Sequence, residues 1–139
     1  MTLNNNHPIL LVEDDTVDAM TVRRALRDLN VLNPLDVVGN GEEALAHLRD
    51  GKSEHPCIII LDLNMPKMSG LEFLRIVKQD PVLRRIPVVV LTTSKGEQDR
   101  FESFDLSVAG YMIKPVHYPQ FVDVVRGINL YWTLSQLPN

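Results

Sequence analysis

The stretch CIIILDLNMPKMSG at residues 57–70 decides the fold predicted for this chain. Its first five residues are apolar without a break, which is typical of a strand buried on both faces of a parallel sheet. Asp62 follows the run at once, and Pro66 and Gly70 then mark a loop before an amphipathic segment that begins at Leu71. The sequence therefore places a carboxylate at the carboxyl end of a buried strand, which is the edge where open α/β sheets bind ligands.

The rest of the chain alternates short β-prone runs with helical patterns. Strands are predicted at residues 9–12, 35–38, 57–61, 87–91 and 111–113, and helices at residues 17–29, 43–49, 70–79, 97–104 and from 119 onward. Such a repeat predicts an α/β protein with a flavodoxin-like, five-stranded parallel sheet in the order 2-1-3-4-5 and helices on both faces. The first and third strands then meet at the topological switch point, where ligands of this fold class bind.

The first helix is predicted from apolar residues near helical spacing, namely Val17, Met20, Ala25 and Leu29. These residues form the stripe expected against the sheet. Asp15 or Thr16 is expected to cap the first turn of this helix.

Length and composition limit the class of protein. The 139 residues are 45% hydrophobic and 23% charged, which is typical of one globular domain. No apolar run approaches the ~20 residues of a transmembrane helix, and residues 1–7 lack the features of a signal peptide, so we expect a cytoplasmic protein without a membrane segment. The net charge of −4 disfavours a nucleic-acid partner. Cys57 is the only cysteine, and its place in an apolar run favours a packed thiol.

Acidic residues gather at the predicted switch point. Glu13, Asp14 and Asp15 follow the first strand, and Asp62 follows the third. Singly, such residues are most often solvated or cap a helix, but carboxylates that meet at one edge repel each other, which raises their pKa values or demands a cation. Oxygen-only ligands from few protein groups suit Mg²⁺, which keeps several waters and often binds a phosphate oxygen. The sequence therefore predicts a Mg²⁺ site here.

Two further side chains are expected at the same edge. Thr92 follows the fourth strand, and Lys114 follows the fifth. They add a hydroxyl donor and a fixed cation to the acidic cluster, and this combination is suited to holding a phosphoryl group.

Four motifs carry a resemblance to a known family: LLVEDD at residues 10–15, LDLNMPKMSG at 61–70, VVVLTTS at 88–94 and GYMIKP at 110–115. Their order and intervals resemble the response-regulator receiver domain of two-component signalling. The resemblance covers about residues 8–129 and implies a single receiver domain over residues 1–139, with a C-terminal helical extension at about 130–137. Such a receiver accepts a phosphoryl group from a sensor histidine kinase, and it is a signalling protein rather than an enzyme, although it assists its own phosphorylation and dephosphorylation.

The resemblance implies a role for each acidic residue of the site. Asp62 is expected to be the phosphoacceptor and to contribute to the metal site. Asp14 is expected to be a direct Mg²⁺ ligand, Glu13 a ligand through water, and Asn64 a ligand through its backbone carbonyl.

The remaining motif residues are expected to bind the phosphoryl group or to respond to it. Thr92 and Lys114 bind phosphoryl oxygens by this resemblance. Tyr111 matches the switch aromatic, which shifts when Thr92 moves, so that the output face is formed by the fourth helix, the fifth strand and the fifth helix. The Lys114–Pro115 bond resembles the cis peptide of the family.

The C-terminal extension resembles that of the stand-alone receivers that work with cyanobacterial phytochrome kinases, which implies a phytochrome-type histidine kinase as partner. Its apolar side chains are expected to form a homodimer surface together with Tyr111. These residues are Leu130, Tyr131, Trp132 and Leu134, with Leu137 beyond them. The alternative is an extension that folds back as a local cap.

Two other classes of protein share part of the pattern. A Mg²⁺-dependent aspartate-nucleophile phosphohydrolase also uses an Asp at a strand end, but such enzymes resemble D-x-D, and Asn64 occupies the second position here. A flavodoxin-like cofactor binder needs a phosphate-binding loop rich in Gly, Ser and Thr after the first strand, where this chain is acidic. Incubation with an acyl phosphate distinguishes a stable adduct from rapid turnover, and a yellow pigment identifies a flavoprotein.

Overall fold

The computed structural model describes residues 7–93 and 96–134, apart from the side chains of residues 97, 101 and 131–134. Strands and helices alternate along it: β1 (Ile9–Val12), α1 (Thr16–Asp28), β2 (Leu35–Val38), α2 (Gly41–Arg49), β3 (Ile58–Leu61), α3 (Gly70–Gln79), β4 (Val88–Thr92), α4 (Glu97–Asp105), β5 (Gly110–Ile113) and α5 (Tyr118–Leu134). The strands form one parallel sheet in the order β2-β1-β3-β4-β5. The predicted flavodoxin-like fold is confirmed.

Alternate side chains of the central strands pack into two separate cores. Leu10, Val12, Ile59 and Leu61 pack with α2 and α3, whereas Ile9, Leu11, Ile58 and Ile60 pack with α1 and α5. Successive residues of a strand point to opposite faces of the sheet, so a sheet covered by helices on both faces requires unbroken apolar strands. The run at residues 58–61 therefore lies at the centre of the fold because it supplies both cores.

Side-chain caps fix where three of the helices begin. Asp15 accepts a backbone N–H bond of 3.0 Å at the start of α1, Asn40 accepts one of 2.9 Å at α2, and Ser69 accepts one of 3.3 Å at α3. A cap of this kind stabilises a helix by about 1 kcal/mol. Asp15 was one of the two caps predicted for α1, and it starts the helix directly after the acidic residues that follow β1.

The buried face of α1 agrees with the predicted stripe only in part. Ala25 is buried and Leu29 packs partly against the core, as predicted, whereas Val17 and Met20 are each 68% exposed. The helix also places Ala19, Val22 and Leu26 against the core. The helix is therefore rotated so that Val17 and Met20 lie on its outer side.

Smaller differences from the predicted elements have local causes. A 3-10 turn at Leu83–Arg85 before β4 was not predicted. Helix α2 starts at Gly41, two residues earlier than predicted, because Asn40 caps it. The Lys114–Pro115 bond is trans, so the expected cis bond is wrong for this structure. The trans form is the one that X–Pro bonds ordinarily prefer, by about 0.5–1 kcal/mol.

The last helix is the longest of those in the described residues, with 17 residues. Helix α5 extends to Leu134, and Leu130 on it is 48% exposed. The side chains of Tyr131, Trp132 and Leu134, and all of Leu137, lie outside the described residues, so the dimer surface stays a prediction. Within residues 7–93 and 96–134, none of the helices has the length and apolar content to cross a membrane.

Candidate functional site

The strand register brings the predicted site residues to one edge of the sheet. Val12 pairs with Leu61, so Glu13 and Asp62 follow neighbouring strand positions. The Asp62 N–H donates to the Val12 carbonyl at 3.1 Å. Carboxylate oxygens of Glu13, Asp14 and Asp62 lie within 4.8 Å of one another. The convergence of these three acids, which was inferred from strand order alone, is present in the structure.

The ends of β4 and β5 add the predicted hydroxyl and cation to this edge. Thr92 pairs with Ile113, and the Lys114 N–H donates to the Thr92 carbonyl at 2.8 Å. Thr92 is completely buried, and the Lys114 side chain is 7% exposed. Both side chains reach Asp62, so residues at the ends of β1, β4 and β5 surround the carboxylate that follows β3.

Close packing of Gly70 fixes the loop that follows Asp62. A Cβ atom on Gly70 would lie 2.6 Å from Cα of Leu63 and closer still to the backbone oxygen of Asp62. The Gly70 N–H donates to the Leu63 carbonyl at 3.1 Å. The start of α3 can therefore approach the end of β3 only because residue 70 has no side chain.

Both oxygens of the Asp62 side chain accept hydrogen bonds. Oδ1 accepts from the Thr92 hydroxyl at 2.7 Å and from the Asn64 N–H at 3.2 Å. Oδ2 accepts from Nζ of Lys114 at 3.3 Å. Asp62 is only 5% exposed. The carboxylate is therefore held in one orientation by donors from three segments of the chain.

Lys114 contacts three carboxylates at once. Its Nζ lies 2.5 Å from Oε1 of Glu13, 2.9 Å from Oδ2 of Asp18 and 3.3 Å from Oδ2 of Asp62. Burial acts to lower the pKa of Lys114, but hydrogen bonds to Asp18 and Glu13 outweigh this and raise the pKa above its ordinary value. Lys114 therefore stays charged at neutral pH and is the fixed cation of the site.

Glu13 shows the electrostatic cost of bringing the acids together. Burial raises the pKa of its carboxyl to about 7, and the charge of Asp62 acts in the same direction, while Lys114 opposes both. A divalent cation beside Glu13 and Asp62 would favour their ionised forms. The donor set of Glu13, Asp14 and Asp62 consists of carboxylate oxygens, which fits a hard ion such as Mg²⁺ or Mn²⁺.

Asn64 lies beside the acidic cluster, on the loop after β3. Its side-chain amide donates long hydrogen bonds of 3.5 Å to the hydroxyls of Thr92 and Thr93. Its backbone N–H is directed at Asp62. The residue is thus close enough to take part in the site, and its predicted metal role remains a prediction.

Tyr111 lies on β5, opposite Val90 of β4. It is half-buried against the core on the α2 and α3 face, and its ring centroid is 6.4 Å from that of Phe104 on α4. Phe104 is 53% exposed. The side chain of the predicted switch residue therefore faces α4. Its strand partner, Val90, lies two residues before Thr92 on β4.

Asp18 is a site residue that sequence reasoning missed. It lies in the first turn of α1, where acidic residues are common because they complement the helix dipole. Its contact with Lys114 joins residues 96 positions apart in the sequence. In the sequence, Asp18 is marked only by its position three residues after the Asp15 cap. That position does not indicate a contact with Lys114, which follows β5.

Known proteins share this sequence pattern and fold. The family model of the response regulator receiver domain matches residues 9–126. Response regulator Rcp1 of Synechocystis sp. (strain ATCC 27184 / PCC 6803 / Kazusa) is 39% identical over 138 residues, which cover 95% of this chain and 94% of Rcp1.

Two solved structures resemble this one over nearly their whole length. The phosphorylated cyanobacterial phytochrome response regulator RcpA has a TM-score of 0.91 at 40% identity, covering 96% of this chain and 99% of RcpA. The Mn²⁺-bound form of Rcp1 has a TM-score of 0.88 at 38% identity, with the same coverage of 96% and 99%. The segment matched by the family model, residues 9–126, contains every strand and all the residues gathered around Asp62. The chain therefore belongs to the response regulator receiver domain family.

Proposed function

We propose that this chain is a response regulator that accepts a phosphoryl group on Asp62 from a sensor histidine kinase in a Mg²⁺-dependent reaction. The main support is the environment of Asp62. Its carboxylate is buried at the end of β3, accepts hydrogen bonds from Thr92 and Lys114, and lies within 4.8 Å of two further carboxylates. An oriented carboxylate with a hydroxyl, an ammonium and metal-ligand oxygens around it is suited to forming an acyl phosphate.

The proposed reaction is an in-line transfer. An oxygen of Asp62 attacks the phosphorus of a phosphohistidine, a P–O bond forms as the P–N bond breaks, and the imidazole nitrogen leaves with the bonding electron pair. Thr92 and Lys114 already donate to Asp62, and they are placed to donate to the phosphoryl oxygens that appear there.

Glu13, Asp14 and Asp62, with the backbone carbonyl of Asn64, are the proposed Mg²⁺ ligands, Glu13 acting through water. When bound, Mg²⁺ supplies positive charge beside the phosphoryl oxygens. Glu13 also binds Lys114 at 2.5 Å. The same carboxylate would therefore be shared between the fixed cation and the metal ion, when one is bound.

The response to phosphorylation is proposed to pass through Thr92 and Tyr111. A phosphoryl oxygen on Asp62 offers a new acceptor to the Thr92 hydroxyl, and movement of Thr92 changes the space beside β5. Tyr111 would then move relative to α4, which shifts an existing two-state equilibrium. The proposed output face consists of α4, β5 and α5.

Exposed apolar side chains close in sequence to the site residues support docking of a protein partner. Val17 and Met20 are near Asp18 on α1, and Val116 lies two residues after Lys114. Val116 is 94% exposed, and the other two are each 68% exposed. Exposed apolar side chains of this size are typical of a surface that binds another protein. The 40% identity to RcpA, a cyanobacterial phytochrome response regulator, supports a phytochrome-type kinase as the partner.

A homodimer is proposed on the output face. Its support is a set of exposed apolar side chains on α4, β5 and α5: Phe104, Ile113 and Leu130. The extension of α5 to Leu134 lengthens the same surface. Tyr111 and Lys114 border this face, so phosphorylation is proposed to strengthen the dimer.

A phosphohydrolase is disfavoured by the residue two positions after Asp62. Hydrolysis of an aspartyl phosphate in that class uses a second carboxyl group as acid and base. Asn64 has an amide there, and the amide nitrogen donates to hydroxyl groups. An amide does not exchange protons with reactants at neutral pH.

The test is phosphorylation by acetyl phosphate in the presence of Mg²⁺, followed by intact mass measurement. Wild-type protein should gain one phosphoryl group, and chelation of the metal should prevent the gain. Asp62→Asn keeps the shape of the side chain but should take up no phosphate. Asp36→Asn on the edge strand β2 is the matched control and should behave like the wild type. A wild-type rate for Asp62→Asn would overturn the assignment, and rapid phosphate release without an adduct would favour the hydrolase.

A further inference from the structure

Asp18 is in direct contact with Lys114, and we propose that it is a positioning residue for phosphoryl transfer. Its carboxylate holds the Lys114 ammonium so that one N–H stays directed at Asp62, in a role that depends on the proposed function of Asp62. Asp18 does not touch the reacting atoms in this arrangement. It acts through Lys114.

The three contacts of the Lys114 ammonium differ in length. Two short ones hold Nζ in place, and we call them anchors, whereas the third is free to change partner. An ammonium has three donors, and Lys114 directs them at three carboxylates. The contacts with Glu13 at 2.5 Å and Asp18 at 2.9 Å are shorter than the contact with Asp62 at 3.3 Å. The longest contact is the one that a phosphoryl oxygen on Asp62 would replace, while the two shorter ones hold Nζ in place.

Asp18 is the anchor that metal binding leaves available. The described carboxylates close enough to share an ion are Glu13, Asp14 and Asp62, a set that does not include Asp18. Glu13 would interact with both Lys114 and a bound metal ion. Asp18 interacts with Lys114 and is not among the candidate metal ligands, so it can hold Lys114 both before and after the metal binds.

The benefit expected from this anchor is conformational. Lysine has a flexible four-carbon stem, and fixing it in one conformation costs side-chain entropy. If Asp18 orders Lys114 before the reaction begins, this cost does not fall on the transition state. Loss of the anchor should therefore slow the reaction without removing any group that contacts phosphorus.

A purely helical role for Asp18 is the competing explanation. An acidic residue in the first turn stabilises a helix through its dipole, and this needs no partner. However, the capping of α1 is done by Asp15, which accepts the N–H of Asp18. The side chain of Asp18 instead contacts a lysine that is 7% exposed, although Asp18 itself is 35% exposed.

Four variants separate the two explanations. Asp18→Asn removes the charge and keeps the shape, and it should lower the rate of phosphorylation by acetyl phosphate at saturating Mg²⁺ by about 3- to 10-fold, within the entropy of one lysine side chain. Asp18→Glu should recover most of the rate. Glu42→Gln removes an exposed acid from the first turn of α2 and should react like the wild type. Lys114→Ala serves as the background in which Asp18→Asn is repeated.

The double variant tests whether Asp18 acts through Lys114. In the Lys114→Ala background, Asp18→Asn should cause no further loss, because the group that it positions is gone. If Asp18 acted only as a negative charge, its removal in that background should speed the reaction with an anionic donor. If it acted only on the helix, the loss should be the same in both backgrounds.

A second readout does not depend on turnover. The ammonium signal of Lys114 in ¹⁵N NMR of the metal-free protein should exchange with water faster in Asp18→Asn than in the wild type or Glu42→Gln. The affinity for beryllofluoride in the presence of Mg²⁺ should fall in parallel with the rate.

The outcomes distinguish this inference from the proposed function. Wild-type protein that takes up no phosphoryl group overturns the function proposed for Asp62. Phosphorylated wild-type protein with an Asp18→Asn variant that matches it in rate and in the Lys114 signal overturns only the role of Asp18. Equal losses in Asp18→Asn and Glu42→Gln would also overturn that role.

Discussion

The hydroxyl of Thr92 donates a 2.7 Å hydrogen bond to Oδ1 of Asp62, which links the last residue of β4 to the residue that follows β3. Both residues are buried, Thr92 completely. Thr92 also continues the ladder to β5, since it pairs with Ile113. A change of acceptor at Asp62 can therefore reach β5 through a single side chain.

Replacing Thr92 with Val should separate phosphorylation from its structural consequence. Val matches Thr in size but lacks the hydroxyl, so Asp62 should still be modified, more slowly, while β5 no longer responds. Hydrogen exchange of residues 110–113, measured with and without beryllofluoride, is the readout. Wild type and Thr92→Ser should change on addition of the mimic, and Thr92→Val should not. The same change in all three proteins would refute the role of the hydroxyl.

Replacing Gly70 with Ala should displace the backbone that carries Asp62. The new Cβ would press on the backbone of Asp62 and Leu63, so we expect a loss of about 1–3 kcal/mol in the free energy of unfolding and slower phosphorylation. Gly127→Ala is the control, because nothing lies within 4 Å of that Cβ. It should stabilise α5 by roughly 0.5–1 kcal/mol. Urea unfolding of both variants checks these values, and a neutral Gly70→Ala would contradict the packing.

Cys57 should react with alkylating reagents only slowly while the protein is folded. Burial raises the pKa of its thiol from 9.0 to about 11. At pH 8 the thiolate fraction, on which reactivity depends, is therefore about 100-fold lower than in an unfolded chain. Iodoacetamide labelling at pH 8, in buffer and in urea, measures the difference. Equal labelling rates would show that the thiol is accessible.

The raised pKa of Cys57 also fixes the sign of a pH effect. The folded state keeps the proton when the unfolded state has lost it, so this contribution to stability is complete below pH 9 and is lost as the pH rises toward 11. Cys57→Ala should unfold at lower urea concentration overall but should lack this decline. A decline of the same size in Cys57→Ala would assign it to other groups.

The double change Trp132→Ala with Leu134→Ser should give a folded monomer that still accepts phosphate. Both positions lie on the C-terminal part of α5, and they belong to the proposed dimer surface. Analytical ultracentrifugation at several concentrations, with and without beryllofluoride, gives the mass. The proposal fails if wild-type protein is monomeric under all of these conditions.

The fold was predictable because its strands are short apolar runs with clear ends. The run at residues 58–61 is buried on both faces, a charged residue directly follows each of β1, β3 and β5, and β4 ends in Thr92. Once strand order is known, residues that follow neighbouring parallel strands must meet. The positions of Glu13, Asp62, Thr92 and Lys114 follow from this rule, which needs no knowledge of side-chain conformation.

The parts that were missed depend on how helices are rotated and placed. Whether Val17 and Met20 are covered depends on the rotation of α1 about its axis, and their spacing fits more than one rotation. Asp18 meets Lys114 because the first turn of α1 lies beside the end of β5, a contact between distant segments. Such contacts follow from packing in three dimensions, and a residue next to a helix cap gives no sign of them.

Alternate residues of β3 pack into the two cores, so the position of Asp62 depends on the number of residues in this strand. One residue inserted between Ile58 and Leu61 would exchange the side chains that face the two cores, and Asp62 would leave its register with Glu13. Two inserted residues would restore the faces but move Asp62 by about 7 Å, beyond the reach of Thr92 and Lys114. Drift among apolar residues of similar size is compatible with the reaction, whereas insertions and deletions in this strand are not. The distance of Asp62 from the start of β3 is therefore more tightly constrained than the identity of the apolar side chains before it.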